Sequence, residues 1–148
     1  MKRALITAGL AAFAATAGLA HQGVQNPIVL ARMEGMSTMA EDVEVIGNMA
    51  RGIAPLDAAA ANAALSGIAD EATRIVDLFE LPEMDPRSEA RPLIWDNYAD
   101  FGNRAMELEL AAAQLTGSIE DRESLTRALR RVGALCSGCH EDYRLDRD

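Results

Sequence analysis

The chain has 148 residues, 49% of them hydrophobic but only 4% aromatic, with two cysteines and a formal net charge of -9. This length suits one domain around one core, and the aromatic-poor composition favours helices over a sheet. The acidic balance opposes binding to nucleic acid or anionic lipid through a basic face.

In chain order, Met1-Lys2-Arg3 forms a basic start, Ala4 to Leu19 is an uncharged apolar run rich in alanine, and Gly18-Leu19-Ala20 offers small residues for cleavage. The pattern predicts a secretory signal peptide over 1–20 and a mature domain over 21–148. The run falls short of the about 20 strongly apolar residues that span a bilayer. A bacterial periplasm is therefore the expected destination. Loss of Lys2 and Arg3 moves the charge from -9 to -11 over the 128 mature residues and leaves no lysine. Such a charge keeps a small exported protein soluble, and any electrostatically steered partner should present positive surface. His21 becomes the mature N-terminus and is not read as a ligand.

The mature sequence carries four apolar seams spaced alternately by four and three residues, the pattern of helices that face one another. The first runs through Ile28, Arg32, Met36, Met39, Val43, Ile46 and Ala50. It opens on Asn26 as N-cap with Pro27 at the first helical position, and Gly52 and Pro55 stop it. A second opens near Asp57, runs through Ala61, Leu65, Ile68, Ala72, Ile75 and Phe79, and ends before Leu81-Pro82.

From Glu80 to Arg91 the periodicity lapses, and Pro82, Pro86 and Pro92 predict a connection crossing one end of a bundle. The third seam, Ile94, Tyr98, Phe101, Ala105, Leu108, Ala112 and Leu115, closes at Gly117. The fourth is Leu125, Leu129, Val132, Cys136, Cys139 and Tyr143, with Ser118 and Asp121 as its expected capping box. Helices of roughly 22 to 26 residues with mostly short connections predict an all-α, antiparallel, up-down-up-down four-helix bundle.

The fourth seam ends in Cys136-Ser137-Gly138-Cys139-His140, and C-x-x-C-H is the attachment pattern of a c-type haem. Thiols three residues apart share a helical face, so each can add to one vinyl group of the same porphyrin. His140 lies on that face, four residues from Cys136, and can reach the iron as proximal ligand. A redox dithiol is expected beside a βαβ pattern, which is absent from this sequence. Structural zinc takes four Cys or His ligands, and the one other histidine, His21, lies at the far end of the chain. A disulfide between these two cysteines would close a very short loop of little value.

With this motif close to the C-terminus of a four-helix pattern, the chain resembles the class II c-type cytochromes, the group that includes cytochrome c prime, itself an up-down-up-down bundle. The resemblance covers nearly the whole mature chain. It rests on Cys136-Ser137-Gly138-Cys139-His140-Glu141-Asp142-Tyr143-Arg144, on Pro92-Leu93-Ile94-Trp95 with Phe101, and on Arg32-Met33-Glu34-Gly35-Met36 upstream of Ile46-Gly47. It implies one covalent haem c on Cys136 and Cys139, with iron on His140 and thioether formation after export. Arg32 and Arg144 match basic residues that lie near the haem in the family. Arg144 also suits the negative end of the last helix whatever else lies nearby. Arg32, on an otherwise apolar seam, needs a partner that a haem propionate would supply.

Met36 matches the family position over the distal face of the iron, where low-spin members ligate through methionine and cytochromes c prime leave the site open. Methionine on the iron favours electron transfer, an open site admits small gases, and a packed methionine does neither. Met33 and Met39 read as packing or rim residues. Trp95 reads either as a haem-edge residue or as core. The expected function is single-electron transfer among periplasmic or membrane redox partners by a carrier that is not an enzyme. The alternative is a five-coordinate haem protein that captures nitric oxide or carbon monoxide. The resemblance also implies a homodimer through the first two helices, with Val45 and Met49 as surface apolar positions compatible with it.

Overall fold

Asn26 opens the first helix as its sequence promises: its side-chain oxygen accepts from the backbone N–H groups of Ile28 (2.9 Å) and Val29 (3.2 Å), and Pro27 follows at N1. This geometry comes from a computed structural model that describes residues 23–145. The expected leader over 1–20 and His21 lie outside the described residues. Helix α1 spans Pro27–Ala50 and stops where Gly52 adopts φ +74°, a left-handed conformation that glycine takes without a Cβ penalty. Helix α2, Ala58–Leu78, opens on Asp57, whose carboxylate accepts from Ala60 N–H at 3.0 Å.

The third seam does not form one continuous helix. A single turn, α3 (Leu93–Asp96), is followed by a break at Asn97 and then by α4 (Tyr98–Leu115). Two side chains on either side of the break are pulled toward the end of α2. Trp95 Nε1 donates to the Phe79 carbonyl at 2.8 Å, and the Tyr98 hydroxyl donates to that of Val76 at 2.7 Å. Helix α5 spans Arg122–Tyr143. Its capping box pairs Asp121 with Ser124, not Ser118 with Asp121 as the sequence led us to expect. Ser118 instead turns its hydroxyl back onto the Leu115 carbonyl.

These helices form the expected antiparallel four-helix bundle. The start of α1, the end of α2, the start of α3 and the end of α5 gather at one end. There the proline-rich connection is held by an isolated antiparallel bridge between Ala90 and Arg144, with Arg91 N–H donating to Tyr143 O at 3.0 Å and Leu145 N–H to Glu89 O at 2.7 Å. At the opposite end, Asn62 on α2 binds the backbone of Gly117 and Ile119, and Arg122 donates to the Met49 carbonyl at 2.7 Å.

Helix α2 lies between α1 and α4, and its buried alanines Ala61, Ala64, Ala69 and Ala72 let those neighbours approach closely. Helix α5 contacts the same two neighbours on the other side, less extensively. Ile46, Leu65, Ile68, Ile94 and Leu125 anchor the core. The buried stripe of α1 is broader than its expected seam, because α1 faces both α2 and α5. It takes in Val29, Gly35 and Gly47, and Met49 as well, which is core and not the surface residue we expected. Val45 does remain exposed. Among the described residues no helix is long and apolar enough to cross a membrane.

Candidate functional site

The looser packing of α5 opens a cavity of about 1020 Å³ that reaches into the bundle beside its C-terminal half. This is the size of a site for a large organic ligand. Cys136, Cys139 and His140 line it from α5 and Arg144 from just beyond its end, Arg32 and Met36 line it from α1, and Ile68, Phe101 and Leu108 give it an apolar interior. All six residues singled out in the sequence thus meet at one cavity. Met33 and Met39 also line it, Met39 from a buried position. Trp95 is absent from the lining and packs against the core.

Both cysteines are free and half-buried. Burial pushes the Cys136 thiol up, and it drives Cys139 up to about 11 against the opposing charge of Arg104. A redox-active dithiol needs the opposite shift, since the thiolate is the nucleophile. Burial, helped by Arg144 and opposed by Glu89, lowers the pKa of His140, which favours the neutral imidazole that a metal requires. Among the described residues no group of three or more His, Cys, Asp or Glu side chains could hold a metal ion by itself, so a structural zinc centre lacks its ligand set.

Arg32 is 3% exposed, and its guanidinium is committed to backbone. Nε donates to Leu78 O (2.7 Å), Nη1 to Glu83 O (2.6 Å) and Nη2 to Leu81 O (2.6 Å). It also stacks over Phe79 at 4.5 Å. The hydrogen-bond partners its seam position demands are therefore carbonyls at the end of α2 and just beyond it, while the residue still lines the cavity. Arg144 is exposed and pairs with Glu89 at 2.7 Å.

Sequence reasoning missed Arg104. It lines the cavity from α4 and donates to the Gly138 carbonyl at 2.6 Å. Its pairing with Asp100, four residues earlier on the same helix, was a visible signal, but nothing in the spacing pointed to Gly138. Glu89 was missed too, for it sits in the connection without periodicity.

The sequence model of the Cytochrome C' family matches residues 27–144, from the first residue of α1 to the residue that caps the end of α5. The chain belongs to the cytochrome c' family. It is 32% identical over 152 residues to cytochrome c-555 of Bradyrhizobium diazoefficiens, covering 98% of each chain. Among solved structures, cytochrome c' from Rhodopseudomonas palustris superposes with a TM-score of 0.77 at 28% identity, covering 84% of this chain and all of that one. Oxidized cytochrome c556 of the same organism gives 0.76 at 27% identity with the same coverage.

Like its cytochrome c' relatives, the chain carries covalently attached haem c. The cavity fits such a group. Two thiols and an imidazole share one wall, and at Gly133, one turn before Cys136, an added Cβ would meet nothing within 4 Å. That leaves an open surface for a flat ring along α5.

Proposed function

We propose that the protein is a periplasmic mono-haem electron carrier in which Cys136 and Cys139 hold the porphyrin by thioethers, His140 is the proximal iron ligand and Met36 supplies the distal sulfur. One observation carries the reading: Met36 on α1 and His140 on α5 line the same cavity from two different helices. Bound there, the haem supplies the one-electron couple between ferrous and ferric iron. The chain supplies the rest. Burial keeps His140 neutral and ready to ligate, while Ile68, Phe101 and Leu108 exclude water from the interior. Arg144 sits at the edge of the cavity with its charge partly met by Glu89. The reading makes the protein a carrier serving redox proteins of the periplasm or membrane, and export through residues 1–20 fits the compartment in which the thioethers form.

The test compares spectra of the holoprotein and its Met36→Leu variant. Ligation by Met36 predicts a reduced wild type that is low-spin and refuses carbon monoxide, and a variant that turns high-spin and binds it. Unchanged bands in the variant, with rapid carbon monoxide binding by both proteins, would establish the gas-binding alternative and leave Met36 as a packing residue.

A further inference from the structure

Between Val132 and Tyr143 no residue of α5 is fully buried, because the cavity takes the place of part of the side-chain packing that would otherwise set the rotation of this stretch. The whole attachment motif lies within it. Fully buried side chains fix α5 before and after the motif, through Leu125, Ala128, Val132 and Tyr143; between them Leu135, Cys136 and Cys139 pack only in part against the core, and polar ties add to their hold.

The strongest of these ties comes from Arg104. Nη1 donates to Gly138 O at 2.6 Å and Nη2 pairs with Asp142 Oδ2 at 2.8 Å. Nε is held on its own helix by Asp100 Oδ2 at 2.9 Å. The guanidinium also lies over the Tyr143 ring, 5.3 Å from its centroid. The two points gripped on α5 bracket His140 from either side in sequence. Arg91 reaches the Glu141 carbonyl only at 3.4 Å.

We infer that Arg104 is a positioning residue for haem attachment and iron ligation: anchored on α4, it fixes the rotation of the α5 turn that presents Cys136, Cys139 and His140. The inference rests on the reading of those three residues as the haem holders. A helical carbonyl that already accepts a backbone bond has a second lone pair, and Gly138 offers it to a cation. Charge-assisted bonds of this kind are strong, and a planar guanidinium delivers three of them in fixed relative directions. A lysine has the charge without the fork. Arg104 also sits between two carboxylates, so its loss leaves this side of the cavity with one more unit of negative charge. That favours ferric over ferrous iron.

The experiment uses matured holoprotein as wild type, Arg104→Lys and Arg104→Met, with redox titration, ferric electron paramagnetic resonance and thermal unfolding. Arg104→Met is expected to shift the resonance spectrum and to lower the reduction equilibrium constant about three- to tenfold, a tenfold change being about 59 mV for one electron. Arg104→Lys, which keeps the charge, is expected to shift the spectrum while the potential stays near wild type. It also preserves the test should the methionine variant fail to fold. Spectra of both variants superimposable on wild type, with only the unfolding temperature lowered, would overturn the inference and leave the haem reading standing. Wild type without covalent haem would overturn both.

Discussion

Tyr143, the last residue of α5, donates its hydroxyl proton to the Asp100 carboxylate of α4 at 2.6 Å. The two groups shift each other in opposite directions. The hydrogen bond from Tyr143, with Arg104 adding to it, holds the Asp100 carboxyl below its ordinary value, while burial and the Asp100 bond raise the phenol to about 12. The Tyr143 ring is buried edge-on to Phe101, with centroids 5.3 Å apart, so Tyr143→Phe keeps the packing and removes the bond. The variant should unfold about 3–6 °C below wild type at pH 7. Because the folded pKa of Asp100 is depressed, this stabilisation is complete above the ordinary carboxylate range and is lost as pH falls through the folded value. The gap between the thermal melts should therefore begin to narrow as pH falls below the ordinary carboxylate range of about 4 and close once Asp100 is protonated in the folded protein. A gap that does not narrow at all on acidification would mean that the hydroxyl acts through something other than the carboxylate.

Arg32 offers a sharper stability test, because its three donors satisfy three carbonyls at the end of α2 and just beyond it. Arg32→Met keeps much of the stem volume and orphans those carbonyls. Urea unfolding of the protein should show a loss of about 2–4 kcal/mol, with an unchanged denaturant slope. A loss below about 0.5 kcal/mol would return Arg32 to the class of surface charges.

At the same end of the bundle, Asn26 caps α1 and its amide also donates to Glu83 Oε2 at 2.7 Å. Replacing it with alanine removes the cap and this tie to the connection together. Urea titration should register a loss of about 1–2 kcal/mol. Asn26→Asp, which keeps the cap but sets a carboxylate against Glu83, should fall between the two.

The starts of α1 and α2 were legible in this sequence, since Asn26-Pro27 and Asp57 act through bonds to N–H groups only two or three residues away, whereas the box that opens α5 was placed three residues too early. The C-x-x-C-H pattern was equally plain, because its spacing lies within one helical turn, and the structure brings its two cysteines and histidine to one cavity. Features decided by other helices were not visible. The break at Asn97 follows from bonds that Trp95 and Tyr98 make to α2, while the apolar periodicity runs across it undisturbed. Met49 looked like surface because a seam describes one contact face and α1 has two. Arg104 was hidden for a similar reason: its target is a carbonyl, and every residue has one.

Gly133 separates the demands of the haem from those of the helix. In mid-helix a glycine is worse than alanine, and here an added Cβ would meet nothing within 4 Å. The polypeptide alone thus gives no packing reason for glycine at this place. In a background where both cysteines are serine, so that only the helix is measured, Gly133→Ala should raise stability by about 0.5–1 kcal/mol. Gly133→Phe should be tolerated there too, since its ring has the cavity to enter. In the cysteine-bearing protein the same ring competes with the porphyrin for the open surface beside Cys136. Haem staining per polypeptide after export should then fall steeply for phenylalanine and only slightly for alanine. Full staining of the phenylalanine variant would show that the porphyrin lies elsewhere along α5.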